Sequence, residues 1–112
     1  MSATPHALVL ADAPGPRAWR IAAALGARLA PLREARRASH GVTLVFAFAA
    51  LNELPGLVLR LASLQPRALI VTLLGEPGPL PRWNAPIARF CFPSQAAARR
   101  WLPHVALGRM VV

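Results

Sequence analysis

Three of the four acidic residues in this 112-residue chain directly follow long apolar segments, where they could share one site. Asp12 follows the first such segment, Asn52 and Glu53 follow a later one, and Glu76 follows the next. If these segments are parallel strands, their carboxyl ends meet at one edge of the sheet, where ligands bind. Such a group suits a cation or a polar ligand, although the same residue types also serve as caps in loops and at helix N-termini.

The proline-rich loop after Glu76 adds a second candidate pair. Arg82 and Trp83 are adjacent in this loop, and Arg and Trp are enriched in binding hot spots. We predict that the loop lies at the ligand edge of the sheet and that the pair contributes to binding. The alternative is that Trp83 folds back over the end of the sheet.

Other residues capable of chemistry do not form recognisable sites. His6, His40 and His104 are far apart, and none has a Cys or carboxylate neighbour at ligand spacing, so no metal site is predicted. The segment Asp12–Pro16 has one glycine, whereas phosphate loops need several. Cys91 is the only cysteine, which excludes an intramolecular disulfide, and we expect it to be buried in a strand. No catalytic residue and no cofactor are predicted.

The chain is strongly basic, with a formal net charge of +9 from thirteen arginines, no lysine and four acids. GC-rich coding would explain this excess, but it would still attract nucleic acid, anionic lipid or an acidic protein. A basic face could be built from Arg17, Arg20, Arg28, Arg33, Arg36 and Arg37. A nucleic-acid binder would need aromatic residues among them, and the nearest, Trp19, is expected in the core.

The chain is also unusually apolar. Hydrophobic residues make up 55% of it and charged residues 15%, so apolar side chains must be exposed or covered by a partner. The longest run without charge, residues 38–52, is shorter than the ~20 residues of a membrane-spanning helix. The first residues lack a signal-peptide pattern, so we expect a cytoplasmic protein.

Alternating strands and helices would position these residues. Arg67–Leu74 is an apolar run without alternation, bounded by Pro66 and Gly75, which is typical of a strand in the middle of a parallel sheet. We predict further buried strands at 6–11, 42–48 and 87–92 and an edge strand at 27–32. Helices are predicted at 16–26, as one or two turns within 33–40, from 52 or 53 to before 66, and from 94 to about 103. The side chains expected to face inward from the helices include Trp19, Leu54, Leu57, Val58, Leu61, Leu64, Trp101, Leu102 and Val105.

This order predicts one α/β domain over residues 1–112. Its core would be a small doubly wound, flavodoxin-like sheet of about five mostly parallel strands, with helices on both faces. Residues 1–5 would be a loose lead-in, and residues 106–112 a tail or a short edge strand.

The element order resembles that of response-regulator receiver domains. Asp12 matches an acid of their phosphorylation site, but Ala49 or Ala50 occupies the place of the phosphoacceptor Asp. Thr72 lies inside the fourth strand, slightly before the Ser/Thr position, and Phe92-Pro93 replaces Lys-Pro. The resemblance therefore implies a degenerate pseudo-receiver that binds partners without phosphotransfer.

Residues 42–109 also resemble the flavodoxin-like subdomain of NDP-forming acyl-CoA synthetases. The similarity lies in Arg67–Glu76 and in Pro86–Arg99, where a strand ends in a small residue and Pro before an Ala/Arg-rich helix. Ala38–Gly41 resembles that family's phosphohistidine motif, but the Thr-Gly that should follow is absent. This resemblance implies an accessory domain that binds CoA or a nucleotide, with Arg82 and Arg89 contacting its anionic groups.

The function expected from the sequence is a non-catalytic binding or regulatory module. It would act through contacts with a protein partner or a second copy of itself, using the carboxyl edge or exposed apolar surface. CoA or nucleotide binding is one alternative. Nucleic-acid binding through the arginines is another, and it is less favoured.

Overall fold

The computed structural model describes residues 7–62 and 66–112, which form one parallel six-stranded sheet with four α-helices. The expectations for residues 1–5, for His6 and for Leu64 lie outside these residues. The elements in chain order are β1 (Ala7–Leu10), α1 (Pro16–Leu25), β2 (Arg28–Ala30), α2 (Ala35–Ala38), β3 (Leu44–Ala50), α3 (Leu54–Leu61), β4 (Ala68–Leu74), β5 (Arg89–Cys91), α4 (Gln95–Trp101) and β6 (Met110–Val111).

The strands lie in the order β2-β1-β3-β4-β5-β6, and every neighbouring pair is parallel. This confirms the predicted α/β fold. The strand count is six instead of five because Met110 and Val111 pair with Phe90 and Cys91. Part of the segment predicted to be a tail or a short edge strand, residues 106–112, therefore extends the sheet.

The two central strands, β3 and β4, pair along their whole length, from Leu44 beside Ala68 to Ala50 beside Leu74. β3 begins two residues later than predicted. The cause is the preceding turn, in which the N–H of Val42 donates to the carbonyl of Ser39 and Gly41 has a φ of 74°. Val42 is therefore part of the turn despite its high strand propensity.

The sheet has two different faces, because successive strand residues point to opposite sides. On the covered face, strand residues such as Leu8, Val45 and Val71 pack against α2, α3 and α4. On the other face, which we call the open face, Val9 and Phe48 pack against α1. Helices lie on both faces as predicted, but three lie on one and one on the other.

The handedness of the connections explains this unequal division. Parallel crossovers are right-handed, so connections that move in opposite directions across the sheet lie on opposite faces. Only the β1–β2 connection moves one way, and the four later connections all move the other way. The β4–β5 connection, residues 75–88, contains no helix, and its Leu80 packs into the core of the covered face.

Helix α1 packs on the sheet through small side chains. Ala18 and Ala22 are buried against the sheet, whereas Trp19 is 59% exposed. The prediction that Trp19 lies in the core was therefore wrong. Consecutive helix residues are about 100° apart, so with Ala18 facing the sheet Trp19 lies on the flank of the helix.

Helix α4 begins as predicted, since the Oγ of Ser94 accepts a hydrogen bond from the N–H of Ala97 at 3.1 Å. Trp101 is buried with its ring 6.4 Å from that of Phe92. Leu102 was expected to face inward but is 45% exposed. It follows the last helical residue and lies one step of rotation beyond Trp101.

The described helices are short. The longest, α1, has ten residues and spans about 15 Å, half the ~30 Å of a bilayer's hydrocarbon core. No helix among the described residues is long and apolar enough to cross a membrane.

The end of α1 gives a test of the backbone. Gly26 has a φ of 62°, in the left-handed region that a side chain disfavours. Gly26→Ala is therefore expected to lower the free energy of unfolding by about 1 kcal/mol, measured by urea denaturation. The control is Gly108→Ala, where an added Cβ meets no atom within 4 Å and the change should stay below about 0.5 kcal/mol. Equal effects of the two substitutions would contradict the assigned conformation of Gly26.

Candidate functional site

A crevice opens at the carboxyl edge of the sheet, where β1 and β3 lie side by side and the strand order reverses. The chain connections leave these two strands in opposite directions. Ligands of such sheets usually bind at this point. The crevice has a volume of about 400 Å³. Its lining is mostly apolar and comprises Ala11, Asp12, Ala13, Pro14, Gly15, Pro16, Arg17, Ala18, Leu32, Phe48, Glu53, Thr72, Leu73, Leu74 and Pro93.

Two of the predicted acids, Asp12 and Glu53, lie in this crevice. Asp12 Oδ1 accepts a hydrogen bond from the N–H of Leu32 at 2.8 Å, which ties the end of β1 to the turn after β2. Glu53 Oε1 accepts one from the N–H of Ala50, also at 2.8 Å, at the end of β3. Both carboxylates therefore hold loops in place, and each has a second oxygen beyond the one that accepts its backbone hydrogen bond.

Asn52 lies beside the crevice in a second hollow of about 300 Å³. This hollow shares Asp12 and Glu53 with the crevice, and Arg33 and Arg60 also line it. The structure therefore brings together three of the four polar residues predicted for the carboxyl edge. Arg33 lies just before α2 and Arg60 lies in α3. Because both helices pack on the covered face, the second hollow lies toward that face.

Arg17 reaches across the mouth of the crevice. Its Nη2 donates to Cys91 Sγ at 3.1 Å, which links the start of α1 to the end of β5. Arg17 was a candidate for the basic face, but its long side chain turns toward the sheet. Cys91 is half-buried instead of fully buried, since no described helix packs on that part of its face.

Thr72 lines the crevice and is only 4% exposed, yet its Oγ1 has no hydrogen-bond partner. A buried hydroxyl without a partner carries a desolvation cost. Ser39, at the end of α2, is the other described residue whose buried side-chain oxygen has none. Of these two residues, Thr72 lines the crevice and Ser39 does not.

The N-terminus of α1 forms one wall of the crevice. Gly15 is its N-cap and supplies no side-chain acceptor, and Pro16 has no N–H. The N–H of Trp19 makes the first hydrogen bond of the helix, to the carbonyl of Gly15. The N–H groups of Arg17 and Ala18 precede that bond and have no acceptor within the helix.

The other predicted site residues lie away from the crevice. Glu76 is at the carboxyl edge, where it forms an exposed ion pair with Arg100 at 3.0 Å. Arg82 and Trp83 are exposed, Trp83 by 72%. They precede Asn84, which is anchored near the starts of β5 and β6, at the opposite edge from Asp12.

Arg109 makes that anchor, and sequence analysis did not identify it. Its guanidinium donates to Asn84 Oδ1 at 2.6 Å, to the Asn84 carbonyl at 2.8 Å and to the Ile87 carbonyl at 2.6 Å. It also lies over the ring of Phe90, 4.9 Å from the centroid. No local pattern distinguishes Arg109 from the other arginines, because its hydrogen-bond partners are more than twenty residues away in the chain.

The six arginines predicted to form a basic face are divided. Arg33, Arg36 and Arg37 line a surface hollow of about 620 Å³ with Glu34 and His40, and Arg37 pairs with Glu34 at 3.0 Å. Arg28 lies next to this group, because its Nη2 donates to the carbonyl of Ala38. Arg20 lies exposed on α1, while Arg17 contacts Cys91.

The open face carries half-buried and exposed apolar residues beyond α1. The register aligns Phe46 with Ile70 and then with Arg89, and it aligns Cys91 with Val111. Phe46, Ile70 and Cys91 are half-buried, and Val111 and Arg89 are exposed. Within the described part of the chain, α1 is the only helix packed on this face.

Among residues 7–62 and 66–112, no three His, Cys, Asp or Glu side chains lie close enough together to hold a metal ion. The crevice therefore offers hydrogen bonds, two carboxylates, one guanidinium and apolar surface.

Arg109 gives a test of how the Trp83 loop is held. Arg109→Lys cannot reproduce a fork of three hydrogen bonds, so it is expected to cost about 2 kcal/mol of unfolding free energy. Amide hydrogen exchange at Ile87 should also become faster. Arg99→Lys, at an exposed position on α4, is the control and should change neither quantity. Unchanged exchange at Ile87 in the Arg109 variant would show that the loop is held by other contacts.

Comparison of the chain with protein-family models, with curated proteins and with solved structures gives no significant match.

Proposed function

We propose that this protein is a non-catalytic binding module whose open face receives an amphipathic helix from an acidic protein partner. The observation that carries the proposal is the apolar strip of sheet beyond α1, which no described helix covers. Ile70 lies at its centre, beside Phe46, which also packs against the α1 cluster. In doubly wound folds such a strip is normally packed against a helix.

The dimensions of the strip suit a helix. Neighbouring strands are about 4.8 Å apart, and packed helices are 8–10 Å apart, which corresponds to about two strands. Helix α1 packs mainly over β1 and β2 and also reaches Phe46 and Phe48 of β3. A second helix beside it would therefore lie over β4 and the side of β3 next to β4. Those are the strands that carry Phe46 and Ile70.

The charge distribution favours an acidic partner over a second copy of the chain. Arg89 is exposed on the strip, and the chain has a formal net charge of +9. Each of the four acids already accepts a hydrogen bond within the chain: Asp12 from Leu32, Glu34 from Arg37, Glu53 from Ala50 and Glu76 from Arg100. Two copies would repel each other, whereas an acidic helix would be attracted.

One feature agrees with binding without phosphotransfer, and two weigh against the alternative functions. β3 ends at Ala50, so the position that matches a receiver's phosphoacceptor has no carboxylate, in line with binding without phosphotransfer. Asp12 and Glu53 in the crevice would repel the phosphates of CoA or a nucleotide. The arginines predicted as a nucleic-acid face are divided between the neighbourhood of α2 and α1, and Arg17 is turned toward Cys91.

The test uses a synthetic helical peptide of about 18 residues, with leucines along one face and glutamates on the other. We expect it to bind with a dissociation constant in the micromolar range, measured by fluorescence anisotropy, and more weakly as salt is raised. Arg89→Glu should weaken binding about tenfold by placing a like charge on the strip.

The matched control is Arg99→Glu, an exposed arginine on α4 at the covered face, which should change the affinity less than about twofold. A peptide of the same composition in scrambled order, and one with lysine in place of glutamate, should bind at least about tenfold more weakly. Equal losses from the two arginine variants would indicate general charge attraction and overturn the assignment to the open face.

The oligomeric state provides a separate test of the occupant. Light scattering coupled to size-exclusion chromatography is expected to show a monomer at low salt, where the net charge keeps copies apart. A stable dimer at low salt that Ile70→Glu dissociates, while Leu59→Glu at an exposed position on α3 does not, would identify a second copy as the occupant instead.

A further inference from the structure

We propose that the crevice between β1 and β3 is a binding site for an apolar amino acid with a side chain of the size of leucine or phenylalanine. The ligand's carboxylate would face Arg17 and the N-terminus of α1, its ammonium would face Asp12 and Glu53, and its side chain would fill the apolar remainder. This proposal concerns a small ligand and does not require the protein partner described above.

The unpartnered hydroxyl of Thr72 is the main indication of a ligand. The side chain is 4% exposed and lines the crevice, and no protein atom pairs with its Oγ1. Buried polar groups nearly always have a partner, and an exception calls for a physical explanation, of which a bound ligand is one. A hydroxyl can both donate and accept, so it suits either charged end of an amino acid.

The groups on the α1 side suit a carboxylate. Arg17 brings a guanidinium to the mouth of the crevice, where its described hydrogen bond goes to a weak sulfur acceptor, Cys91 Sγ. The N–H groups of Arg17 and Ala18 lack acceptors within the helix, and α1 is ten residues long. A carboxylate would be a stronger partner for the guanidinium than a thiol.

The opposite groups suit an ammonium. Asp12 and Glu53 both line the crevice, and each uses one carboxylate oxygen for a backbone N–H. With two carboxylates and one guanidinium, the crevice has a formal charge of −1. A zwitterion satisfies both signs, whereas a phosphate dianion would face two like charges.

The size and the remaining lining suit an apolar side chain. The volume of about 400 Å³ is at the lower end of the range for small-molecule sites. Phe48, Leu73, Leu74 and Pro93 supply apolar surface near Thr72. A leucine or phenylalanine side chain would be removed from water there.

The experiment is an NMR titration of the full chain with L-leucine and L-phenylalanine. We expect a dissociation constant below about 1 mM, with the largest shifts at the amides of Gly15 and Thr72. Isocaproate, which is L-leucine without the ammonium, and isoamylamine, which lacks the carboxylate, should each bind at least about tenfold more weakly. ATP should cause no shifts at Gly15 and Thr72.

Two variants separate a binding role of Thr72 from a structural one. Thr72→Val removes the hydroxyl and keeps a similar shape, so the melting temperature should stay equal or rise while affinity for L-leucine falls about tenfold. Ser39→Ala removes the other unpartnered buried hydroxyl and should leave the affinity unchanged.

The other outcomes overturn the proposal. If neither L-leucine nor L-phenylalanine binds, the proposed site is excluded. Equal binding of L-leucine and isocaproate excludes recognition of the ammonium, and unchanged affinity in Thr72→Val excludes the role of the hydroxyl.

Discussion

The hand of a parallel crossover is the constraint on which the rest of this molecule depends. One connection leaves β1 in one direction and four later connections proceed in the other, so α1 lies alone on its face of the sheet. A sixth strand continues the same direction, and therefore α4 packs with α2 and α3 instead of beside α1. The apolar surface over β3 and β4 follows from this order of strands and not from any single residue.

The same constraint produces the crevice. Because the chains leaving β1 and β3 go to opposite faces, no connection covers the edge between them, and side chains from β4, α1 and the strand ends line the crevice there. Asp12 and Glu53 fasten the two loops, and Arg17 extends over the gap from α1. The Thr72 side chain is buried there, but no surrounding group forms a hydrogen bond with its Oγ1. The proposed ligand site and the proposed docking strip thus share one architectural origin.

Local patterns predicted most of the fold and only part of the site. Unbroken apolar runs located β1, β3 and β4, and the residues Pro16, Gly26 and Ser94 marked helix ends that the structure also shows. Helical periodicity alone could not decide whether Trp19 or Ala18 faces the sheet, because neighbouring residues share the border of an amphipathic face. Similarly, the contacts of Arg17 with Cys91 and of Arg109 with Asn84 join residues distant in sequence, so they depend on the tertiary fold.

An open apolar strip on a highly charged molecule has a consequence for colloidal behaviour. At low ionic strength a net charge of +9 opposes the approach of two molecules. At about 1 M salt the Debye length falls to about 3 Å, so this repulsion no longer acts over the distance between approaching molecules. Salting-out agents also strengthen apolar association. We therefore expect precipitation on raising the salt concentration to begin at the part of the open face beyond α1, with the protein still folded.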